Sequence, residues 1–281
     1  MRISCLPWGV LYHRHHTREA YVEWFRFVAQ DPHLEGVDPI DGSGSLFGLP
    51  ERREESRALK PMLDDLGLNV VMFTTHVDFR VAELAPAERD RIRFLIDQAV
   101  FFEAACYRTI TGLSEPGELC RQGVMENVLA GLRWLAGLVA EAGLPLLIEN
   151  HHETTDEMIV LCDALAAERV KLNVEIKPAF RYHLDPYAYA ARLAPRAGCF
   201  HLDNFRYDPD TEHWDQDRAG RKLERAVALD QGEIDLGRIL KIVKAAGYDG
   251  WVSIEYGGLS DGFDNLARSA AFVRRTWDAL P

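Results

Sequence analysis

No run of lysine or arginine appears in the chain, no CxxC pair occurs, and no apolar stretch is long enough to cross a bilayer. Each absence removes a class of function. With 32 basic against 44 acidic residues, the formal net charge is −12. A field of that sign repels nucleic acid and anionic lipid surfaces and suits cations, so neither nucleic acid nor a membrane is an expected partner. The five cysteines, Cys5, Cys106, Cys120, Cys162 and Cys199, are scattered and odd in number. Most lie in apolar segments, which points to buried free thiols in a reducing compartment. The chain starts with a strand-like MRISCLPW, not with a basic region followed by a long apolar run. No signal peptide is read there, and a soluble cytoplasmic protein is the expectation. A glycine-rich phosphate fingerprint after the first strand is also missing. Gly42, Gly44 and Gly48 lie before a helix but lack the Lys-Ser/Thr of a P-loop, so they are read as a flexible loop and not as a nucleotide site.

What the 281 residues do contain is a regular alternation of short apolar runs with longer amphipathic ones, and 47% hydrophobic residues to fill a core. That is the βαβα pattern of a parallel sheet. Strands are read at Ile3–Trp8, His33–Val37, Leu68–Phe73, Tyr107–Thr111, Leu144–Glu149, Val170–Ile176, Gly198–Leu202 and Gly250–Glu255. Thr17 caps a helix through Ala29, with Tyr21, Phe25 and Val28 on one face. Further helices are read at Pro50–Leu66, Pro86–Ala104, Cys120–Ala142, Asp156–Ala166, Pro186–Leu193, Ile234–Ala246 and Phe263–Leu280. Eight strands, each followed by a helix, predict an α/β chain folded as one (β/α)8 TIM barrel, a single domain over residues 1–281. An open doubly wound sheet is the alternative, and the missing fingerprint argues against it. The longest loop, Asp203–Gly232, is highly charged and could serve as an active-site lid.

In a parallel barrel the catalytic groups sit where strands end. The fifth strand ends in Glu149, the sixth carries Glu175, the seventh ends at His201 and the eighth at Glu255. Carboxylates aimed at one point repel unless something neutralises them. A divalent cation does so, and one imidazole with several oxygens suits Mn²⁺, Mg²⁺, Co²⁺ or Zn²⁺. Taken singly, each residue has a plainer reading as a solvated charge, an arginine partner or a structural histidine. Four together on successive strands favour a shared metal site. Strand alternation puts Asn173, Glu175 and Lys177 on one face. The Lys177 ammonium could pair with Glu175 and displace the cation, hold an anionic substrate group, or sit solvated on the rim.

These segments resemble the xylose isomerase-like barrels, in particular the sugar-phosphate isomerase/epimerase group. The carriers are Ile148-Glu149-Asn150, Asn173-Val174-Glu175, Phe200-His201-Leu202-Asp203, Gln231-Gly232-Glu233-Ile234-Asp235 and Ser253-Ile254-Glu255. The resemblance implies that Glu149, Glu175, His201 and Glu255 bind one divalent metal, with Glu175 standing where the family has Asp. The family's Asp-x-x-His at strand six is not present, because the run here is Glu175-Ile-Lys177-Pro178. The resemblance also points to His76, at the end of strand three, as a substrate contact, with a satisfied structural histidine as the equal alternative. Trp8 is read as an apolar wall under a sugar or as core, and Asp38, where the family often has Glu, as a candidate or a loop-solvating charge. Asp203 could orient a substrate or Lys177, and Arg206 and Arg221 could contact an anion or pair with acidic neighbours. One of His151 and His152 could support Glu149 from behind. His13, His15, His16 and His183 are read as surface residues.

The expected activity is that of a metal-dependent isomerase or epimerase on a small sugar or hydroxy-keto compound. Polarisation of a carbonyl acidifies the neighbouring C–H and stabilises an enediolate. Glu149 and Glu255 would move the proton, while His201 and Glu175 hold the metal. A dehydratase or lyase on a similar polyol shares the first steps. A metal-free metabolite-binding barrel, with Lys177 in the cation's place, is the alternative from another class. An endonuclease IV-like nuclease is argued against by the net charge. Barrels of the group often form dimers or tetramers, so a homo-oligomer is one expectation of the resemblance.

Overall fold

A strand inside a barrel has no solvent face, so its residues are sorted by parity between the barrel interior and the surrounding helices. The computed structural model describes residues 1–6, 16–39, 45–112, 115–182, 184–210, 214–217, 219–224, 227–255 and 263–281. Its barrel strands are β1 (Arg2–Cys5), β2 (Gly36–Val37), β3 (Asn69–Val70), β4 (Met72–Thr75), β5 (Cys106–Ile110), β6 (Leu146–Glu149), β7 (Lys171–Glu175) and β8 (Ala197–Leu202). Three short strands follow, β9 (Arg206–Tyr207), β10 (Trp214–Gln216) and β11 (Lys222–Glu224), and then the last barrel strand, β12 (Trp251–Ile254). The main sheet runs β3-β2-β1-β12-β8-β7-β6-β5-β4. Its pairings are parallel. β3 and β4 are halves of one predicted strand, parted at Val71. The Val71 N–H donates to the Val37 carbonyl at 2.9 Å, and the Cys106 N–H donates to the Val71 carbonyl at 3.0 Å. The ring thus closes through a single residue, and the fold is the expected (β/α)8 barrel.

Outward-facing Phe73, Tyr107, Ile148, Val174, Phe200 and Val252 join the helix faces in one apolar core. The opposite parity divides into two levels. Val71, Met72, Cys106, Leu147, Cys199 and Trp251 form an apolar plug at the start of the strands. Toward the strand ends, buried Ser4, Thr74, Arg108, Asn173, His201 and Ser253 carry the polar groups. A parallel sheet therefore delivers chemistry to one end of the barrel only.

The helices are α1 (Arg18–Gln30), α2 (Arg53–Arg57), α3 (Lys60–Asp65), α4 (Pro86–Phe101), α5 (Val124–Glu141), α6 (Thr155–Ala164), α7 (Lys177–Arg181), α8 (Pro186–Leu193), α9 (Leu236–Ala245) and α10 (Asp264–Ala279). Thr17 caps α1 by accepting from the Ala20 N–H. Three expectations need correction. The single helix predicted over Pro50–Leu66 is broken at Ala58–Leu59, because Pro61 has no N–H to continue the ladder. α5 starts at Val124, not Cys120, because Gly123 has φ 82 in the left-handed region. The stretch 203–232, read as irregular, contains the antiparallel sheet β10-β11-β9. Among the described residues no helix is long and apolar enough to cross a membrane. Cys5, Cys106, Cys162 and Cys199 are buried free thiols, as expected, whereas Cys120 is exposed.

Phe47 ties the loop after β2 to this frame. Its ring meets Tyr21 at 4.9 Å, Phe102 at 5.3 Å and Phe73 at 6.1 Å. Phe47→Ala is expected to cost about 3–5 kcal/mol in urea unfolding. A loss below about 1 kcal/mol would show that this aromatic cluster does not hold the loop.

Candidate active site at the barrel mouth

Glu149 ends β6 with a carboxylate only 1% exposed. An ionised group so deep must be paired and hydrogen-bonded. Arg108, on β5 and 3% exposed, ion-pairs with Oε1. His201 Nδ1 lies 2.8 Å from the same oxygen, which also accepts from the Asn173 amide at 2.6 Å. His151 Nε2 lies 2.7 Å from Oε2. Arg108 is steadied in turn by its Nε–H, which donates to Thr74 Oγ1 at 2.9 Å. Burial alone would raise the Glu149 pKa, but the charges of Arg108 and His201 outweigh it and hold the carboxyl well below its ordinary value. Burial likewise disfavours charged imidazoles. Glu149 reverses this for His151 and His201 and lifts each to about 9.

The far side of the mouth is organised by a different cation. β7 stops at Glu175, Ile176 turns into the helical region, and Lys177 opens α7. Lys177 is therefore not the strand residue that alternation predicted, yet its ammonium still reaches the mouth. Nζ stands 2.7 Å from Asp203 Oδ2, 2.9 Å from Glu175 Oε1 and 3.9 Å from Glu255 Oε1. Burial favours the neutral amine, but Asp203, Glu175 and Glu255 hold it charged, well above the ordinary lysine pKa. One ammonium does not fully offset three acids. Burial and the neighbouring carboxylates push Asp203 up to about 7. Glu255 is also raised by burial, but Lys177 and His201 more than reverse this and keep it ionised. His201 Nδ1 is 3.5 Å from Glu255 Oε2, so one imidazole edge lies between the carboxylates of β6 and the end of β12.

Two further groups complete the interior. Asp38 is 1% exposed and accepts from Ser4 Oγ at 3.0 Å and from Ser253 Oγ. It is thus a floor residue of the mouth, not a loop-solvating charge, and burial raises it to about 6. His76, just past β4, is pushed down to about 3 by burial and the Arg108 charge, so its imidazole is neutral. His76, Glu149 and His151 each offer one ligand atom, all within 4.8 Å of one another.

A model of the family described as xylose isomerase-like TIM barrel matches residues 28–276. The chain belongs to that family. Among solved structures, this xylose isomerase-like barrel is similar to the probable 3-DHS dehydratase AsbF involved in petrobactin synthesis from Bacillus anthracis. The TM-score is 0.77 at 17% identity, over 98% of this chain and 99% of that chain. A xylose isomerase-like TIM-barrel protein from Mycobacterium smegmatis, in complex with magnesium, gives a TM-score of 0.70 at 18% identity, over 94% of this chain and 90% of that one. The 3-keto-D-glucoside 4-epimerase YcjR from E. coli gives 0.68 at 14% identity, over 98% and 99%. At these identities the likeness shows the fold alone. Comparison with curated proteins gives no match.

A divalent metal is implied by the family, and the donor atoms test where one fits. The expected quartet of Glu149, Glu175, His201 and Glu255 converges, but Lys177 already stands against Glu175 and Glu255. As a four-ligand cage the quartet fits poorly. His76, Glu149 and His151 fit as a three-ligand set, two imidazoles and a carboxylate.

Of the residues picked from sequence, Glu149, Glu175, His201, Glu255, Lys177, Asp203 and His76 lie together at the mouth. Arg206 is exposed on β9, outside that buried set. Arg221 pairs with Asp217 at 2.7 Å and lies over the Tyr207 ring. Trp8, His13, His15, His183, Gly42 and Gly44 lie outside the described residues. Arg108 was missed. Its signal was a charge in the middle of the strand Cys-Tyr-Arg-Thr-Ile, which has no wet face to receive it.

His151 and His201 start from an ordinary pKa of 6.5 and reach about 9 when folded. Their contribution to stability is therefore complete below about pH 6.5 and lost as pH rises through about 9. Chelator-treated protein is expected to melt at progressively lower temperature from about pH 7 to 9.5, and His201→Gln to remove about half of that decline. Scanning calorimetry reads both, and a flat wild-type profile across the window would contradict the assignment.

Proposed function

We propose that the chain is a metal-assisted isomerase or epimerase that moves a proton at the carbon beside the carbonyl of a small sugar or hydroxy-keto compound. The observation that carries this reading is the placement of Glu149 and Glu255 on either side of His201 Nδ1, at 2.8 Å and 3.5 Å. Two ionised carboxylates flanking one point, at the end of a barrel where strands deliver their polar groups, are the equipment for taking a proton on one side and returning it on the other. When bound, a divalent cation would polarise the substrate's carbonyl and adjacent hydroxyl.

The two carboxylates differ in engagement. Glu149 is held by Arg108, His201, His151 and Asn173. Glu255 is partly exposed, with Lys177 and His201 at the edge of reach. Glu255 is therefore the group that takes the proton, and Glu149, on the opposite side, is the carboxylate through which one would be returned. Lys177 keeps Glu255 ionised and donates to Asp203 Oδ2 at 2.7 Å, which fixes Asp203 to orient a substrate hydroxyl. A dehydratase would begin with the same proton abstraction and then lose a hydroxyl instead of recovering the proton.

The shared first step is the test. Incubation in D₂O with a panel of aldoses, ketoses and hydroxy-keto acids, with Mn²⁺ or Co²⁺ supplied, is expected to introduce deuterium at the carbon next to the carbonyl. Glu255→Gln is expected to slow this exchange by about 10²–10⁴-fold while leaving the melting curve cooperative. Exchange at wild-type rate in Glu255→Gln would reject this carboxylate as the base. No exchange on any member of the panel would favour a metabolite-binding barrel.

A further inference from the structure

Positive charge is not spread evenly round the mouth. On the side of β7, β8 and the end of β12, the Lys177 ammonium stands among Glu175, Asp203 and Glu255. That position lies against two members of the expected quartet, Glu175 and Glu255. An ammonium and a divalent ion cannot both occupy it without strong repulsion. On the side of β4 and β6 the donors are of another kind. His76 follows β4, while Glu149 and His151 close β6 and its loop. Their ligand atoms lie within 4.8 Å of one another, and the His76 and His151 rings are 5.9 Å apart between centroids. Both histidines are only partly buried, and Glu149 lies buried with them, so the trio has an open face and a fixed anionic base.

We infer that the divalent cation of this site is held by His76, Glu149 and His151, displaced toward β4 and β6, and that the Lys177 ammonium takes the place of a metal among Glu175, Asp203 and Glu255. The inference rests on the metal-assisted reading above and adds the location and class of the ion. Two imidazole nitrogens and one carboxylate leave coordination positions open for substrate oxygens. That donor set selects Zn²⁺, Co²⁺ or Mn²⁺ over Mg²⁺, which prefers an all-oxygen shell. His201 then holds the space between Glu149 and Glu255 instead of acting as a ligand, and Glu175 serves as an anchor for Lys177.

Co²⁺ titration of the chelator-treated full chain, followed by visible absorption, tests the placement without any turnover. The expected result is saturable Co²⁺ binding that excess Mg²⁺ does not displace. His76→Ala and His151→Ala should each weaken it by about 100-fold or more, and Glu175→Gln by less than about threefold. Circular dichroism checks that each variant is folded. Anomalous diffraction from Co²⁺-soaked wild-type crystals, which needs no variant, should place the ion beside His76 and His151. An ion found among Glu175, His201 and Glu255, affinity lost in Glu175→Gln but kept in His76→Ala, or no Co²⁺ binding at all would overturn the inference. Binding at the trio without deuterium exchange on any substrate would support the placement and count against the catalytic reading alone.

Discussion

The ion pair between Arg108 and Glu149 is the interaction on which the rest of the mouth depends. Both groups are almost fully buried inside the barrel, on adjacent strands β5 and β6. A lone carboxylate at that depth would protonate, and a lone guanidinium has no neutral form to fall back on. Paired, they give the barrel interior a permanent anion at a fixed height. Everything nearby answers to that anion. His151 and His201 turn their nitrogens to it, Asn173 donates to it, and Thr74 steadies the arginine behind it.

Around this pair the charges fall into two groups with different purposes. Arg108 answers Glu149, and Lys177 answers Glu175, Asp203 and Glu255. The acidic groups at the mouth, Glu149, Glu175, Asp203 and Glu255, outnumber these two cations. Protons on His151 and His201 can offset this excess, and so can a divalent ion that displaces protons from its ligands. This links the chemistry of the site to its stability. The same surplus of carboxylate raises the two imidazoles, and Lys177 stands among the acids on one side of the mouth.

Much of the fold was legible because parallel strands and helices have different periods. Each of the eight predicted strands overlaps a barrel strand, though only Gly36–Val37 of His33–Val37 is strand and the third is interrupted at Val71, where the ring closes. Local backbone chemistry caused the misses. Pro61 breaks a helix, Gly123 delays another, and Ile176 turns β7 early into α7. The acidic ends of β6, β7 and β12 and His201 were legible because strand ends are where a barrel keeps its reactive groups. Arg108 was harder to see. It lies in mid-strand, where an apolar residue is the ordinary occupant, and its partner is set by cross-strand neighbours that one sequence does not display. Of the alternatives left open for Lys177, the pairing with Glu175 is the one found, and a helical turn, not strand alternation, brings it inward. The His76–Glu149–His151 grouping needed three dimensions, because His76 follows β4 whereas Glu149 and His151 lie at the end of β6, and His76 was read as a substrate contact or a structural histidine.

The most direct test of the central pair is a double-mutant cycle on unfolding free energy, with Arg108→Met, Glu149→Gln and the two together. Each single change is expected to cost about 3–5 kcal/mol, because it strands a buried charge or a buried donor. The double variant should cost less than the sum by at least about 2 kcal/mol. Additive losses would show that the two side chains act independently, and the account of the mouth as a set of groups organised by one buried ion pair would be contradicted.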